Sequence, residues 1–263
     1  MPDPAARGPA DPTPHDPAPW PAPLVVSYLT LRRAVGLTGL ALPVVLVLGG
    51  WLAGVPVQDD VSSYYHTPLR DVFVGTLVAA AAFLFCYRGR DRVENLTANL
   101  GGVAALCVAF FPIDPDSAPP YQRTAAGFLH TAGGGAFFLV LAFYSLVHFP
   151  RGAGDDEVSE DGREPPDAAR HRRRNLVYIL SGAFVLLSVP AMGTYLFLLP
   201  NPWREVCDDW NTLFWLEATA AWAFAAAWLT KGRAIGAELA LDLLTLAETR
   251  LREGRQAARR GRA

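Results

Sequence analysis

Long apolar blocks constrain this sequence more than any other feature. The stretches 37–52, 72–86 and 176–199 contain no Asp, Glu, Lys or Arg. A hydrocarbon core about 30 Å thick needs about 20 helical residues to cross it. Lipid offers no partners to unpaired backbone groups, so such segments must be helices when they span a membrane. A soluble protein with buried helices would instead need polar faces on most of them. The sequence therefore predicts an all-α, polytopic membrane protein.

Basic residues between the apolar blocks predict how the chain is oriented. With the N-terminus inside the cell, 20 of the 23 Lys and Arg residues lie on the cytoplasmic side. Cytoplasmic loops of membrane proteins carry such an excess, so we expect both termini in the cytoplasm. The abundance of Ala, Arg and Pro suggests a bacterial genome, and hence a multi-pass protein of the bacterial inner membrane. Six spans are predicted, at 30–52, 69–87, 94–112, 125–148, 175–199 and 210–230.

The segments that flank the six-helix domain, 28–231, differ from it in composition. Nine prolines within the first 23 residues predict a disordered tail over 1–27, because proline blocks helices and these residues offer little to bury. Residues 232–263 predict a cytoplasmic amphipathic helix with a basic end. Its apolar residues recur at helical spacing, at Ile235, Leu239, Leu243 and Leu246.

The expected partner is the lipid bilayer itself. The basic cluster Arg172-Arg173-Arg174 should attract anionic lipids at the cytoplasmic face. The arginines have the distribution of cytoplasmic anchors rather than of a nucleic-acid patch, so no nucleic acid is expected. The oligomeric state stays open.

The predicted topology brings separated polar residues together at the outer face. Glu217 lies inside the sixth span, and a carboxylate within a membrane helix normally faces a cavity or a partner. His130 lies about one to two turns into the fourth span. Together with His66, Asp71 and Asp114, these residues form a candidate cluster at the outer ends of four helices.

This cluster contains side chains that bind divalent metals. His and carboxylate ligands suit zinc or a similar ion, which could turn a bound water into a nucleophile. In that hypothesis Glu217 and His130 are the candidate catalytic residues. The candidate metal ligands are His66, Asp71, Asp114 and His130.

Two other interpretations of the outer residues stay open. The cluster could bind a ligand or carry protons without a metal, with Tyr65 and Asp116 in the same loops as candidate ligand-binding residues. Alternatively, the residues are structural. His66 would then stack on a neighbouring tyrosine, Asp114 would belong to a turn, and His130 and Glu217 would bond to each other as a buried pair.

Part of the sequence resembles a family of bacterial six-helix integral membrane proteins that has no assigned activity. The residues that carry the resemblance are the run Ser63 to Gly75, the pair Phe111-Pro112, and the stretch Glu217 to Gly232. The Pro-Ile-Asp turn before a His-bearing fourth span is also remotely similar to the DRAM/Sfk-type membrane proteins. This second resemblance is mainly architectural.

A weaker resemblance links the chain to the alkaline ceramidase and progestin-receptor-like superfamily of membrane metal hydrolases. Ser62 and His66 at Ser-xxx-His spacing, followed by Asp71, look similar to that superfamily's motif. The chain departs from it in having no His-xxx-His pair, only six predicted spans, and an Asp71 that follows too closely. The resemblance implies a lipid amidase.

The sequence thus predicts an outward-facing His and carboxylate pocket that binds a divalent metal or a lipid headgroup. Membrane hydrolysis is the most concrete use of such a pocket. The rival hypothesis is a non-catalytic structural or regulatory membrane protein, or a transporter of small solutes or protons.

Overall fold

The computed structural model describes residues 22–115, 123–151 and 168–233, with side chains from residue 29 and, in the last range, from residue 171. Within these ranges the secondary structure is helical, with no β-strand. The helices are α1 (Ala22–Ala53), α2 (Arg70–Cys86), α3 (Arg92–Phe110), α4 (Ala125–Arg151), α5 (Ala168–Phe197), α6 (Asn201–Asp209) and α7 (Thr212–Lys231).

Five of the helices are long and apolar enough to cross a membrane, with mean hydropathies between 1.2 and 2.0. They are α1, α3, α4, α5 and α7. Their outward faces are apolar as well, since Leu48 is 57% exposed and Leu187 is 68% exposed. A face of this kind suits lipid rather than water. An all-α fold with several helices that could span a membrane is therefore confirmed for the described residues. Helix α2, predicted to span over 69–87, has 17 residues and is not among these five.

Several boundaries differ from those predicted. Helix α1 begins at Ala22, inside the segment 1–27 that was predicted to be disordered, and the rest of that segment lies outside the described residues. Helix α5 begins at Ala168 rather than at 175, because a helix can continue beyond the apolar block when its first turns are polar. Only Gly232 and Arg233 of the predicted C-terminal helix are described.

The six long helices form a closed ring in chain order. Each packs on the next, α5 packs on α7, and α7 packs back against α1. Close approach of α3 and α4 depends on Gly133, where an added Cβ would lie 2.7 Å from the Cβ of Cys107 and 3.2 Å from the carbonyl oxygen of Ala104. A small residue at this position thus lets the two helix backbones lie close together.

Charge separates the two ends of the ring. One end, which we call the acidic end, carries Asp59, Asp60, Asp114 and Asp208 in the segments before α2, before α4 and before α7. The other, the basic end, carries Arg32, Arg90, Arg151 and Lys231. Arg90 there donates a hydrogen bond to the carbonyl of Arg151 (3.2 Å), and Lys231 donates one to the carbonyl of Phe149 (3.0 Å).

A buried polar network closes the basic end. The Tyr87 hydroxyl donates to Glu94 Oε1 (2.7 Å) and accepts from Arg32 Nη2 (3.1 Å). The Tyr144 hydroxyl, from a π-helical turn of α4 at Tyr144–His148, donates to the carbonyl of Glu94 (2.7 Å). The fully buried Trp228 ring packs against Tyr87 and Tyr144. We call these five residues the basic-end network.

Candidate functional site

A cavity of about 350 Å³ lies inside the ring and is lined by all six long helices. Its walls are apolar over most of its depth and include Leu84, Leu141 and Phe224. On α4 the lining runs from His130 to Leu141, a rise of about 16 Å at 1.5 Å per residue. The cavity is therefore an apolar shaft that starts at the acidic end and reaches toward the basic-end network.

The segment between α1 and α2 covers the acidic end of this shaft, and we call the polar part of the lining there the mouth. Asp60 is only 8% exposed, and its carboxylate accepts hydrogen bonds from the Ser63 amide (2.7 Å) and the Ser63 hydroxyl (2.8 Å). These bonds hold the start of a short 3₁₀ helix at Ser62–His66. The segment is thereby folded over the ring, and its polar side chains line the cavity.

Two reciprocal hydrogen bonds dock this segment onto the start of α7. The Phe214 amide donates to the carbonyl of Asp59 (2.9 Å), and the Val61 amide donates to Glu217 Oε2 (2.8 Å). The first amides of a helix have no partner within the helix, so the Asp59 carbonyl supplies one from outside. Glu217, one turn further along α7, positions the loop in return.

The charges at the mouth lie close enough to influence one another. Asp60 interacts electrostatically with both His130 and Glu217. Burial raises the pKa of the Asp60 carboxyl, while the hydrogen bonds from Ser63 and the charge of His130 oppose that change. Burial also raises the pKa of Asp59, with the nearby Asp208 as a second cause. The mouth is thus a partly desolvated, acidic environment.

The two predicted histidines bind the backbone of the segment between α3 and α4. His130 Nδ1 donates to the carbonyl of Phe111 and His66 Nε2 donates to the carbonyl of Ile113, both at 2.7 Å. A carbonyl oxygen can only accept, so each of these nitrogens carries a proton. His130 is 3% exposed and lines the cavity, whereas His66 is exposed and lies outside the lining.

Asp114 binds the two residues that precede α4, Arg123 and the N-cap residue Thr124. Its carboxylate accepts from the Thr124 hydroxyl (2.6 Å), the Arg123 amide (2.6 Å) and the Thr124 amide (3.0 Å). The hydrogen bonds from Thr124 are the main cause of a lowered pKa for this carboxyl. Asp114 therefore fixes the geometry of the chain at the edge of the mouth.

The structure does not assemble the predicted metal ligands His66, Asp71, Asp114 and His130. Across 22–115, 123–151 and 168–233, no three His, Cys, Asp or Glu side chains are grouped so that they could hold a metal ion. The reason is local: both histidines and Asp114 already bind backbone groups, and Asp71 is exposed in the first turn of α2. The zinc hypothesis thus has no geometric support among these residues.

Of the predicted catalytic and ligand-binding residues, only Glu217 and His130 line the cavity among the residues that the structure describes. Glu217 and His130 both line the cavity, but each bonds to a backbone group of a neighbouring segment rather than to the other. The Tyr65 hydroxyl accepts from Arg70 Nη2 (2.7 Å), whose guanidinium lies 4.4 Å from the ring centroid. Tyr65 is not part of the lining, and Asp116 lies outside the described residues.

Two residues of the mouth, Asp60 and Tyr195, are not among the predicted site residues. Asp60 lies in a loop rich in Asp and Ser, where a solvated residue is the ordinary expectation, although the Asp-x-x-Ser spacing is a signal for a local cap. Tyr195 of α5 lines the cavity, and its hydroxyl donates to Asp208 Oδ1. Nothing in the apolar sequence around Tyr195 distinguishes it from a lipid-facing tyrosine.

The chain matches no protein-family model, no curated protein and no solved structure.

Proposed function

We propose that this chain is an integral membrane protein that binds an amphipathic, lipid-like molecule in its central cavity. The observation that carries the proposal is the combination of an apolar shaft with a polar mouth at one end. The alkyl chain of the ligand would occupy the shaft, and its headgroup would lie beside Asp60, His130 and Glu217.

The volume of the cavity supports the proposal that a ligand fills it. Empty apolar space costs about 24 cal/mol per Å³ in protein cores, so a dry cavity of 350 Å³ would destabilise the fold by several kcal/mol. Pockets for small molecules span about 300–1,000 Å³, and this cavity lies near the lower limit. One alkyl chain fits that volume better than a lipid with two chains.

The topology proposed for the molecule has six spans with both termini in the cytoplasm. Helix α2 counts as a span because its 17 residues meet the lower limit of about 17 for a bilayer-crossing helix and because it closes the ring between α1 and α3. The acidic end then faces outward, and the basic end lies in the cytoplasm, as the positive-inside rule requires. The proposed location is the bacterial inner membrane.

Hydrolysis of the bound molecule is a second candidate function. It is favoured by the position of Glu217 and His130, which both line the cavity where the headgroup would lie. A carboxylate and an imidazole in such a place are the usual groups for general acid–base chemistry. This second candidate depends on the first, because the molecule must enter the cavity before it reacts.

The test of the proposal is to fill the shaft with a side chain. Gly135 lines the cavity, and a Cβ added there meets no atom within 4 Å, so Gly135→Leu should occupy the space without straining the helices. We expect photolabelling by a diazirine-bearing long-chain alcohol, in protein reconstituted into lipid nanodiscs, to fall about tenfold, which corresponds to about 1.4 kcal/mol. In the unaltered protein the label should be attached to Leu84, Leu141 or Phe224.

The matched control is Gly75→Leu. Gly75 also has open space around its Cβ position but lies on the exposed face of α2, away from the cavity. This variant should be labelled as the unaltered protein is. Equal labelling of Leu84, Leu141 and Phe224 in both leucine variants would overturn the proposal.

A further inference from the structure

We infer that the ligand of the cavity is a single-chain amphiphile whose headgroup is a cationic ammonium group. The inference rests on the proposed function and names the chemical class of the molecule that the cavity would take. Three features support it: the acidic lining of the cavity, a carboxylate oxygen of Glu217 that accepts no hydrogen bond from the described residues, and the lipid bilayer around the protein.

The ionisable lining is acidic. Among the described residues, no Lys or Arg lines the cavity. The ionisable side chains that do so are Asp59, Asp60, Asp114, His130, Tyr195 and Glu217. Carboxylates accept hydrogen bonds and donate none when ionised. A phosphate or carboxylate headgroup would meet like charge here, whereas an ammonium group would offer a positive charge and several N–H donors.

Glu217 has an acceptor left for such a headgroup. The Val61 amide occupies Oε2, and no other hydrogen bond to Glu217 is formed within the parts of the chain that the structure describes. Its Oε1 atom therefore remains to accept from a ligand in the cavity that Glu217 lines. Charge-assisted bonds of this kind are roughly twice as strong as those between neutral groups.

A bound cation would also relieve repulsion within the mouth. Asp60 and Glu217 interact unfavourably as two carboxylates brought together by the docked loop. One positive charge between them offsets that repulsion and favours the ionised form of Asp60, which burial alone disfavours. Asp114 contributes less, because its carboxylate already accepts three hydrogen bonds at the start of α4.

In a bilayer, the headgroup determines which of several amphiphiles of equal chain length binds best. Lipid tails are as apolar as the shaft, so an alkyl chain gains little from the hydrophobic effect when it leaves the bilayer for the cavity. Chains of equal length are therefore separated by what their headgroups meet at the mouth. The acidic lining selects for positive charge.

The experiment compares dodecylamine, dodecanol and dodecyl phosphate as competitors of the diazirine-bearing alcohol at equal mole fractions in nanodiscs. At neutral pH we expect dodecylamine to compete about tenfold better than dodecanol, and dodecyl phosphate to compete worst. Glu217→Gln keeps an oxygen for the Val61 amide but removes the charge, so the advantage of dodecylamine over dodecanol should disappear. Asp60→Asn should have the same effect and covers the case in which Glu217→Gln does not fold.

The control is Asp209→Asn, which removes an exposed acid at the end of α6 that does not line the cavity. It should leave the order of the three competitors unchanged. If the three compete equally, or dodecyl phosphate competes best, the inference of a cationic headgroup is overturned while the lipid-binding function stands. If dodecanol does not compete at all, the proposed function itself is overturned.

Discussion

At the scale of single residues, Asp60 illustrates how the fold turns a loop carboxyl into part of a site. Its side chain is held by two hydrogen bonds from Ser63 and is almost completely buried. Burial disfavours the charged form and raises the pKa of this carboxyl above its value in the unfolded chain. Its protonation should therefore be linked to folding.

This linkage has a defined sign. A carboxyl whose pKa is higher in the folded protein stabilises the fold at low pH, and that contribution is lost as pH rises through the folded-state pKa. As the pH is lowered from neutral toward about 4, the ordinary pKa of a carboxyl, the melting temperature of the purified protein, measured by scanning fluorimetry, should thus change in the stabilising direction relative to that of Asp60→Asn. Parallel curves for the two proteins would contradict the account.

Asp114 provides a contrast within the same molecule. Its pKa is lowered by the hydrogen bonds from Thr124, so its contribution to stability is present above its unfolded pKa and is lost as pH falls through the folded value. That loss occurs in more acidic solution than the interval proposed for Asp60. The two effects can therefore be separated.

The sequence identifies some of these residues and conceals others. Charge is rare inside a membrane span, so Glu217 and His130 stand out from the sequence alone, and the structure places both in the cavity lining. Asp60 and Tyr195 do not stand out, because their positions depend on a loop folding back over α7 and on contact between α5 and α6. The predicted metal ligands were chosen by residue type. The backbone groups that His66, His130 and Asp114 bind instead are visible only in the folded structure.

At the scale of elements, Glu94 connects three helices at the basic end. It is 3% exposed and lies on α3, where it accepts from Tyr87 at the end of α2, while its backbone carbonyl accepts from Tyr144 on α4. Its second carboxylate oxygen accepts from the Arg90 amide (2.8 Å). The side chain thus fixes the turn between α2 and α3.

Removal of this carboxylate should destabilise the ring. Hydrogen bonds to charged groups contribute about 1.5–3 kcal/mol each, and Glu94→Ala leaves the Tyr87 hydroxyl without its acceptor. We expect a loss of free energy of unfolding of at least that size, measured by denaturant or thermal unfolding in detergent.

Glu94→Gln is the matched control, because its amide oxygen can still accept from Tyr87 or Arg90. It should lose clearly less stability than Glu94→Ala. If both variants unfold as the unaltered protein does, Glu94 does not hold the helices together.

Apolar blocks predict the long helices well, because their length and lack of charge leave few alternatives. Two elements at the ends of the blocks could not be predicted so easily. The π-helical turn Tyr144–His148 has no signal in the sequence. The short helix α6 begins at Asn201-Pro202, a proline position typical of a helix start, but its packing through Tyr195 and Arg204 is visible only in three dimensions.

At the scale of the whole molecule, the closed ring determines where a ligand can lie. Helices that pack mainly on their neighbours in a ring leave the centre to be filled. At the basic end, Trp228 and the neighbouring Tyr87 and Tyr144 fill the centre of the ring. Toward the acidic end, the centre of the ring is the cavity. The proposed orientation then places the polar part of the site toward the outer side and its closed, apolar end toward the cytoplasm.

Accessibility of introduced cysteines tests this central claim most directly. The three native cysteines, Cys86, Cys107 and Cys207, are free and would be replaced by serine. Ser62 lines the mouth of the cavity, and Arg88 is exposed at the basic end. A membrane-impermeant maleimide applied to spheroplasts would then react with Ser62→Cys or with Arg88→Cys according to the side each faces.

The account predicts that Ser62→Cys reacts from outside, that dodecylamine slows this reaction, and that Arg88→Cys reacts only after the membrane is opened. Reaction of Arg88→Cys in sealed spheroplasts, or labelling of Ser62→Cys that dodecylamine leaves unchanged, would contradict an outward-facing cavity that binds an amphiphile.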